Sequence, residues 1–199
     1  MILYVASNNA HKLEEIRSAM PRFDIRTPRD AGIAFDFPED ADSFIGNSTG
    51  KALALWKLLG APVLADDSGL CVDALDGRPG VLSARYGSAD GTVPLASEDR
   101  NALLLQEMRG RQDRACRFVC AMSLVLSPDR VFVVQETCEG VLLDSPRGDG
   151  GFGYDPVVFL PGLGRSVAQL SAAEKNRVSH RGRAIIRMTA LADTLAQLK

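Results

Sequence analysis

Apolar residues open the chain as a short unbroken run, Ile2 to Ala6, and then recur at Leu13, Ile16 and Met20. The run predicts a buried strand and the later spacing predicts one face of a helix. Ser7-Asn8-Asn9 between them predicts a polar loop, and Pro21 predicts the end of the helix. Phe35 to Asp42 carries Pro38 and four acids and predicts another loop. A second helix follows, with Ile45, Ser48, Ala52, Leu55 and Leu59 along one face and Gly60-Ala61-Pro62 closing it. Val63-Leu64-Ala65 predicts a buried strand whose carboxyl end falls at Asp66-Asp67-Ser68-Gly69.

Residues 76 to 96 are rich in Gly, Pro, Ser and Asp and predict mostly loop. Ser97 is the expected cap of a third helix, with Glu98 and Asp99 in its first turn and Leu103, Leu104 and Met108 on its apolar side. Cys116, Phe118, Cys120, Met122, Leu124 and Leu126 then alternate, which is strand spacing. Ser127-Pro128-Asp129-Arg130 predicts a turn, and Val131 to Val141 the returning strand of a hairpin. A Gly-rich loop runs from Pro146 to Pro156, before a short strand at Val157 to Leu160. A last helix starts near Ser179, with the stripe Ile185, Met188, Leu191, Leu195 and Leu198. Helices and strands alternate at first and a long hairpin follows. The expected fold is α/β: a long central mixed β-sheet with flanking helices, in one domain over 1–199 whose two lobes enclose a cleft.

Composition supports a globular core, with 46% hydrophobic and 24% charged residues over 199 positions. A net charge of -2 argues against broad binding of nucleic acid or an anionic membrane. The N-terminus lacks a basic segment and its apolar run is too short for a signal peptide. No stretch approaches the roughly 18 apolar residues of a membrane span. The expected location is therefore cytoplasmic. Cys71, Cys116, Cys120 and Cys138 form no C-x-x-C pair, and their expected state is reduced and largely buried.

Two glycine motifs mislead. Gly46-Asn-Ser-Thr-Gly50-Lys51-Ala52 is one residue short of a P-loop and has Ala52 where a magnesium-binding Ser or Thr is required. Its periodicity also places it inside a helix. Gly148-Asp-Gly150-Gly151-Phe-Gly153 matches G-x-G-x-x-G but follows a hairpin and does not lead into a helix, as a dinucleotide fold demands.

Other residues carry chemistry. Asp66-Asp67, two acids beyond a buried strand, suit a cation, and oxygen ligands suit magnesium shared with phosphates. Glu39 in the acidic loop is a further carboxylate if that loop folds toward Asp67. Ser7, Asn8, Asn9, Ala10, His11 and Lys12 lead into a helix N-terminus, which offers N–H groups and a positive dipole to phosphate. Phe152 and Tyr154 offer stacking faces to a base, Gly153 allows close backbone approach, and Asp155 can hydrogen-bond. Lys175, His180 and Arg181 are expected as one cationic patch near the start of the last helix. Each group also has a plain structural reading as a cap, turn or surface charge. Together they describe a nucleoside triphosphate site.

The chain resembles the inosine triphosphate pyrophosphatase family, the XTP/dITP diphosphatases, in six ordered blocks. These are Ser7-x-Asn9-x-x-Lys12, Phe44-x-x-Asn47-x-x-x-Lys51-Ala52, Ala65-Asp66-Asp67-Ser68-Gly69-Leu70, Pro79-Gly80-x-x-Ser83-Ala84-Arg85-Tyr86, Gly151-Phe152-Gly153-Tyr154-Asp155-Pro156, and Glu174-Lys175 with Ser179-His180-Arg181-Gly182. The resemblance implies hydrolysis of ITP, dITP and XTP to the monophosphate and pyrophosphate, a magnesium cofactor and a homodimer. It assigns phosphate contacts to Ser7 through Lys12. Asp67 becomes general base and metal-site acid, with Glu39 as second acid. Ser68, Phe152 to Asp155, Lys175, His180 and Arg181 contact the nucleotide, and Lys12, Lys51 and Lys175 are candidates to stabilise the leaving pyrophosphate. This chain departs from the family in having Gly46 where an acid is usual, Ser48 where Ala is usual, and Ala173 before Glu174. The alternatives are a pyrimidine-type pyrophosphatase of similar architecture and a non-catalytic nucleotide-binding module.

Overall fold

A computed structural model describes residues 1–88 and 93–197. Leu198 of the expected apolar stripe lies outside them, as do residues 89–92 of the expected loop. The opening strand, β1, is Ile2–Val5, and the first helix, α1, is Ala10–Ala19. A short strand β2, Asp24–Arg26, was not apparent from the sequence. The second helix, α2, is Phe44–Leu59 and β3 is Val63–Val72. Helix α3, Ser97–Glu107, precedes the hairpin of β4, Ala115–Ser127, and β5, Arg130–Leu142. Strands β6, Val158–Leu160, and β7, Arg165–Ser166, lead to α4, Ala172–Val178, and α5, His180–Gln197.

The seven strands form one sheet in the order β2-β1-β3-β4-β5-β6-β7. It is mixed, as expected: β1 is parallel to β2 and β3, whereas β6 is antiparallel to β5 and β7. The chain divides into two compact units, one of Met1–Asp67, Cys120–Glu136 and His180–Lys199, the other of Ser68–Val119 and Thr137–Ser179.

Strand alternation sorts the core of the first unit. Leu64 joins Leu3, Val5, Leu13, Ile16, Cys120, Met122, Leu124, Ile185 and Met188, on the side of α1 and α5. Val63 and Ala65 join Ala52, Leu55 and Val125, on the side of α2. The predicted apolar face of α2 is partly corrected. Ile45 is exposed, and the buried face includes, besides the expected Ser48, the polar Asn47 and Lys51. Ser48 is accommodated by Ser123 on β4, whose hydroxyl lies 2.9 Å from those of both Ser48 and Thr49. The P-loop look-alike is indeed helical. Its glycines accommodate the acidic loop, because a Cβ on Gly46 would lie 2.9 Å from that of Ala41, and one on Gly50 2.9 Å from the Phe37 ring.

In the second unit Leu70, Val72, Tyr86, Leu104, Met108, Cys116, Phe118, Cys138, Tyr154 and Val157 share one core. Gly69 in β3 lies so close to the 3-10 turn Gly80–Arg85 that a Cβ would stand 2.4 Å from the Gly80 carbonyl oxygen. Ser83 Oγ accepts the Leu70 N–H at 2.8 Å and donates to the Gly80 carbonyl at 2.6 Å. The block around Gly69 thus packs directly on the block around Ser83. Ser97 is the first residue of α3 and not its cap; Ala96 holds the cap position, and Ser97 Oγ accepts from Arg100. Cys116, Cys120 and Cys138 are buried, while Cys71 is half-buried. Burial pushes the thiols of Cys116 and Cys120 up to about 12.

Candidate active site

The acid pair does not end its strand. β3 continues to Val72, while its parallel neighbour β1 stops at Val5, opposite Leu64. Asp66 and Asp67 therefore lie just past the end of β1, and the break belongs to the neighbour. Successive strand side chains point to opposite faces. Asp66 follows Leu64 toward α1 and α5, and Asp67 follows Val63 and Ala65 toward α2. The two carboxylates thus cannot act as one adjacent ligand pair, and each has its own partners.

Asp66 is fully buried between two cations. Lys12 Nζ of α1 is 3.1 Å from its Oδ2, and Arg181 Nε of α5 is 3.2 Å from the same atom. Arg181 is held in turn by Glu15 at 2.8 Å. Burial alone would raise the Asp66 carboxyl, but the charges of Lys12, Arg181 and Lys51 outweigh it and hold the group below the usual carboxylate range.

Asp67 Oδ2 accepts from Asn47 Nδ2 of α2 at 2.9 Å. Asn47 Oδ1 accepts the Ala41 N–H at 3.0 Å, so one buried amide joins Asp67 to the acidic loop. One turn further along α2, Lys51 pairs with Glu39 of that loop. Burial raises the Asp67 carboxyl above its ordinary value. The Asn47 hydrogen bond opposes the rise, Glu39 adds to it, and Lys12 and Lys51 counter it.

Ser7 to Lys12 form the entry to α1. Asn9 is the cap, accepting the Lys12 N–H at 3.2 Å, and Ser7 Oγ accepts the Asn9 N–H at 3.2 Å. Asn8 donates to the Phe35 carbonyl at 3.1 Å, a second tie to the acidic loop. Ala10 and His11 are exposed in the first turn. The first unit thus brings together Asp67, Glu39, Lys51, Lys12, Asp66 and Arg181.

In the second unit, Ser68 is half-buried next to Asp67 along β3. Phe152 is half-buried, and Lys175 Nζ stands 4.4 Å over its ring. Lys175 also donates to Asp155 Oδ2 at 2.7 Å, and the same oxygen accepts the Phe152 N–H at 2.8 Å. Tyr154 is not a stacking platform. It is a core side chain whose hydroxyl donates to the Ser83 carbonyl at 3.0 Å, and burial pushes its phenol well up. Lys175 lies on α4, a separate helix capped by Ser171, whereas His180 and Arg181 open α5 in the first unit. Extended Ser179 separates the helices.

Sequence reasoning placed Asn47 in the second block without giving it a role, and passed over Glu15. Asn47 and Lys51 stand four residues apart on the helix face that carries Ala52 and Leu55, and a polar pair on that face was the available signal. Among the described residues no group of three or more His, Cys, Asp or Glu could hold a metal ion. Two carboxylates are nevertheless a sufficient protein share for magnesium, which is usually bound by one or two together with phosphate oxygens.

The fold and site together define a class of mixed α/β protein whose sheet carries, just past the end of β1, a buried carboxyl backed by an amide, with lysines nearby. Within that class the chain belongs to the Ham1 family, whose profile matches residues 3–191. It is 52% identical over 199 residues to the dITP/XTP pyrophosphatase of Treponema pallidum (strain Nichols), covering 100% of this chain and 72% of that protein. It is 47% identical over 185 residues to the dITP/XTP pyrophosphatase of Treponema denticola, covering 93% and 95%. The Staphylococcus aureus Ham1 protein structure superposes with a TM-score of 0.88 at 34% identity, over 98% of this chain and 99% of that one. These findings agree with the resemblance drawn from the six blocks.

Proposed function

We propose that this protein hydrolyses non-canonical purine nucleoside triphosphates, ITP, dITP and XTP, to the monophosphate and pyrophosphate, so removing them from the nucleotide pool. The observation that carries the reading is the Asp67 carboxyl, buried, oriented by Asn47, and raised by burial and by Glu39. A buried carboxyl held in place by Asn47 can position or deprotonate an attacking water. The oxygen of that water bonds to the α-phosphorus, the α–β bridging bond breaks, and pyrophosphate leaves.

Asp67 and Glu39 would hold magnesium. Their donor set is all carboxylate oxygen, and the charge of Glu39 already disfavours ionised Asp67, a conflict that a cation relieves. When bound, the ion neutralises charge developing on the phosphates. Ser7 to Lys12 bind phosphate through the start of α1, and Lys12 and Lys51 stabilise the leaving group. Phe152 stacks on the base. Ser68, Gly153, Tyr154, Asp155, Lys175, His180 and Arg181 complete the nucleotide contacts, Tyr154 through its loop backbone. Donors facing a 6-oxo purine would be left unpaired by the 6-amino group of adenine, at a cost of about 1–3 kcal/mol for each buried group.

Incubation with magnesium and, separately, dITP, XTP, GTP, ATP and dTTP tests this. Pyrophosphate is expected from dITP and XTP in preference to ATP and dTTP. Orthophosphate as the product, or no release from either deaminated nucleotide, would refute it. The resemblance also supports a homodimer, for which sedimentation at the monomer mass would be the contrary result. A cytoplasmic location belongs to the same proposal; separately, no helix among the described residues is long and apolar enough to cross a membrane.

A further inference from the structure

Within the second unit the loop of Gly151 to Asp155 is tied down from three directions. Tyr154 bonds the Ser83 carbonyl, and Asp155 is fixed by Lys175 and by the Phe152 N–H. Gly151 takes a left-handed φ of 72°, and a Cβ there would lie 2.1 Å from Asp155 Oδ2, so the turn admits only glycine. The third tie comes from α3. Asn101 Nδ2 donates to the Gly153 carbonyl at 3.1 Å, where Gly153 is also left-handed at φ 62°. The peptide leaving Gly153 is thus oriented by a side chain more than 50 residues away along the chain.

Asn101 occupies a position on α3 where packing alone calls for an apolar side chain. It is 4% exposed and stands three residues before the buried Leu104, where an apolar side chain would pack without the desolvation of an amide. Its Oδ1 is buried with no hydrogen-bond partner among the described residues. The hydrogen bond this amide makes among the described residues is the donor to Gly153. Removing it leaves the half-buried carbonyl unpaired and releases the segment immediately after Phe152.

We infer that Asn101 is a positioning residue for the base, holding the Gly153 carbonyl so that the Phe152 ring keeps its stacking orientation. The inference rests on the reading of this loop as the base site. Loss of the amide weakens nucleotide binding and leaves the chemistry at Asp67 intact, so the effect falls on KM.

The test compares Asn101→Ala and Asn101→Asp with the wild type, following pyrophosphate release from dITP. For Asn101→Ala, KM is expected to rise about tenfold, the factor for about 1.4 kcal/mol, with kcat within about twofold. Asn101→Asp keeps the shape but donates only when its carboxyl is protonated. Its KM relative to the wild type should approach one at acid pH and rise as the carboxyl ionises, a trend that a purely structural role would not produce. If the alanine variant does not fold, the aspartate variant decides. Unchanged KM, a fall in kcat alone, or a pH-independent KM ratio for Asn101→Asp would overturn the inference. A wild type that releases no pyrophosphate from dITP would instead overturn the reading of the base site, and this inference with it.

Discussion

At Asp67 the carboxyl stands between opposing influences: burial and Glu39 raise its proton affinity, and Asn47 and two lysines lower it. Asp66, one residue earlier, is a counter-ion that is never required to hold a proton. The two aspartates should therefore fail differently. Asp67→Asn is expected to lose at least about a hundredfold in turnover. Its melting temperature should be unchanged or higher, because a disfavoured buried charge is gone. Asp66→Asn leaves Lys12 and Arg181 without their shared carboxylate and should cost about 3–5 kcal/mol in urea unfolding, as for a broken buried pair. Equal urea midpoints for the two variants would contradict this division. The sequence showed the pair, but not that its members face opposite sides, because that depends on β3 continuing past residue 67.

Among the elements, β3 and α4 make the most specific demands. Gly69 has no room for a Cβ against the Gly80 carbonyl, a backbone atom that cannot swing aside. Gly69→Ala should destabilise by about 1–3 kcal/mol, measured by thermal or urea unfolding. Helix α4 begins with a capping box, in which Ser171 accepts the Glu174 N–H and Glu174 accepts the Ser171 N–H, with Arg165 bonded to Glu174 at 2.6 Å. Those bonds, the Arg165 one first, lower the Glu174 carboxyl from its ordinary 4.5 to about 2. A carboxyl lowered in the fold contributes stability that is fully present above pH 4.5 and is lost as pH falls toward about 2. Glu174→Gln should flatten the stability profile across that window, as melting temperatures at stepped pH would show. Helix α4 was not predicted, because the run before Ser179 is too short to stand out as a separate helix.

For the whole molecule, the decisive fact is that neither unit is a continuous stretch of chain. Leu3, Val5, Ile16 and Leu64 share their core with Cys120, Met122, Leu124, Ile185 and Met188. A fragment of residues 1–67 lacks half of that core and should be unfolded by circular dichroism, although it contains Lys12, Glu39, Asn47, Lys51 and Asp67. Native-like signal from that fragment would show that the later segments are dispensable. The net charge of -2 adds nothing to this organisation; apolar burial by distant segments does.

Hydrophobic period and turn residues are local, and they determined α1, α2, α3, α5 and the hairpin to within a few residues, whereas β2, β7, α4 and the length of β3 escaped them. The six blocks likewise singled out the chemical inventory, with Asp67 among it. Tertiary structure alone decided the partners. Asn47 for Asp67, Arg181 for Asp66, and Asn101 for Gly153 are separated by 20, 115 and 52 residues. It also decided that Tyr154 is core while Phe152 remains half-buried, and that Lys175 and Arg181 serve different units. The physical reason is range. Periodicity reports which face of an element is apolar, but the environment of a buried charge or amide is set by whatever the folded chain brings against it.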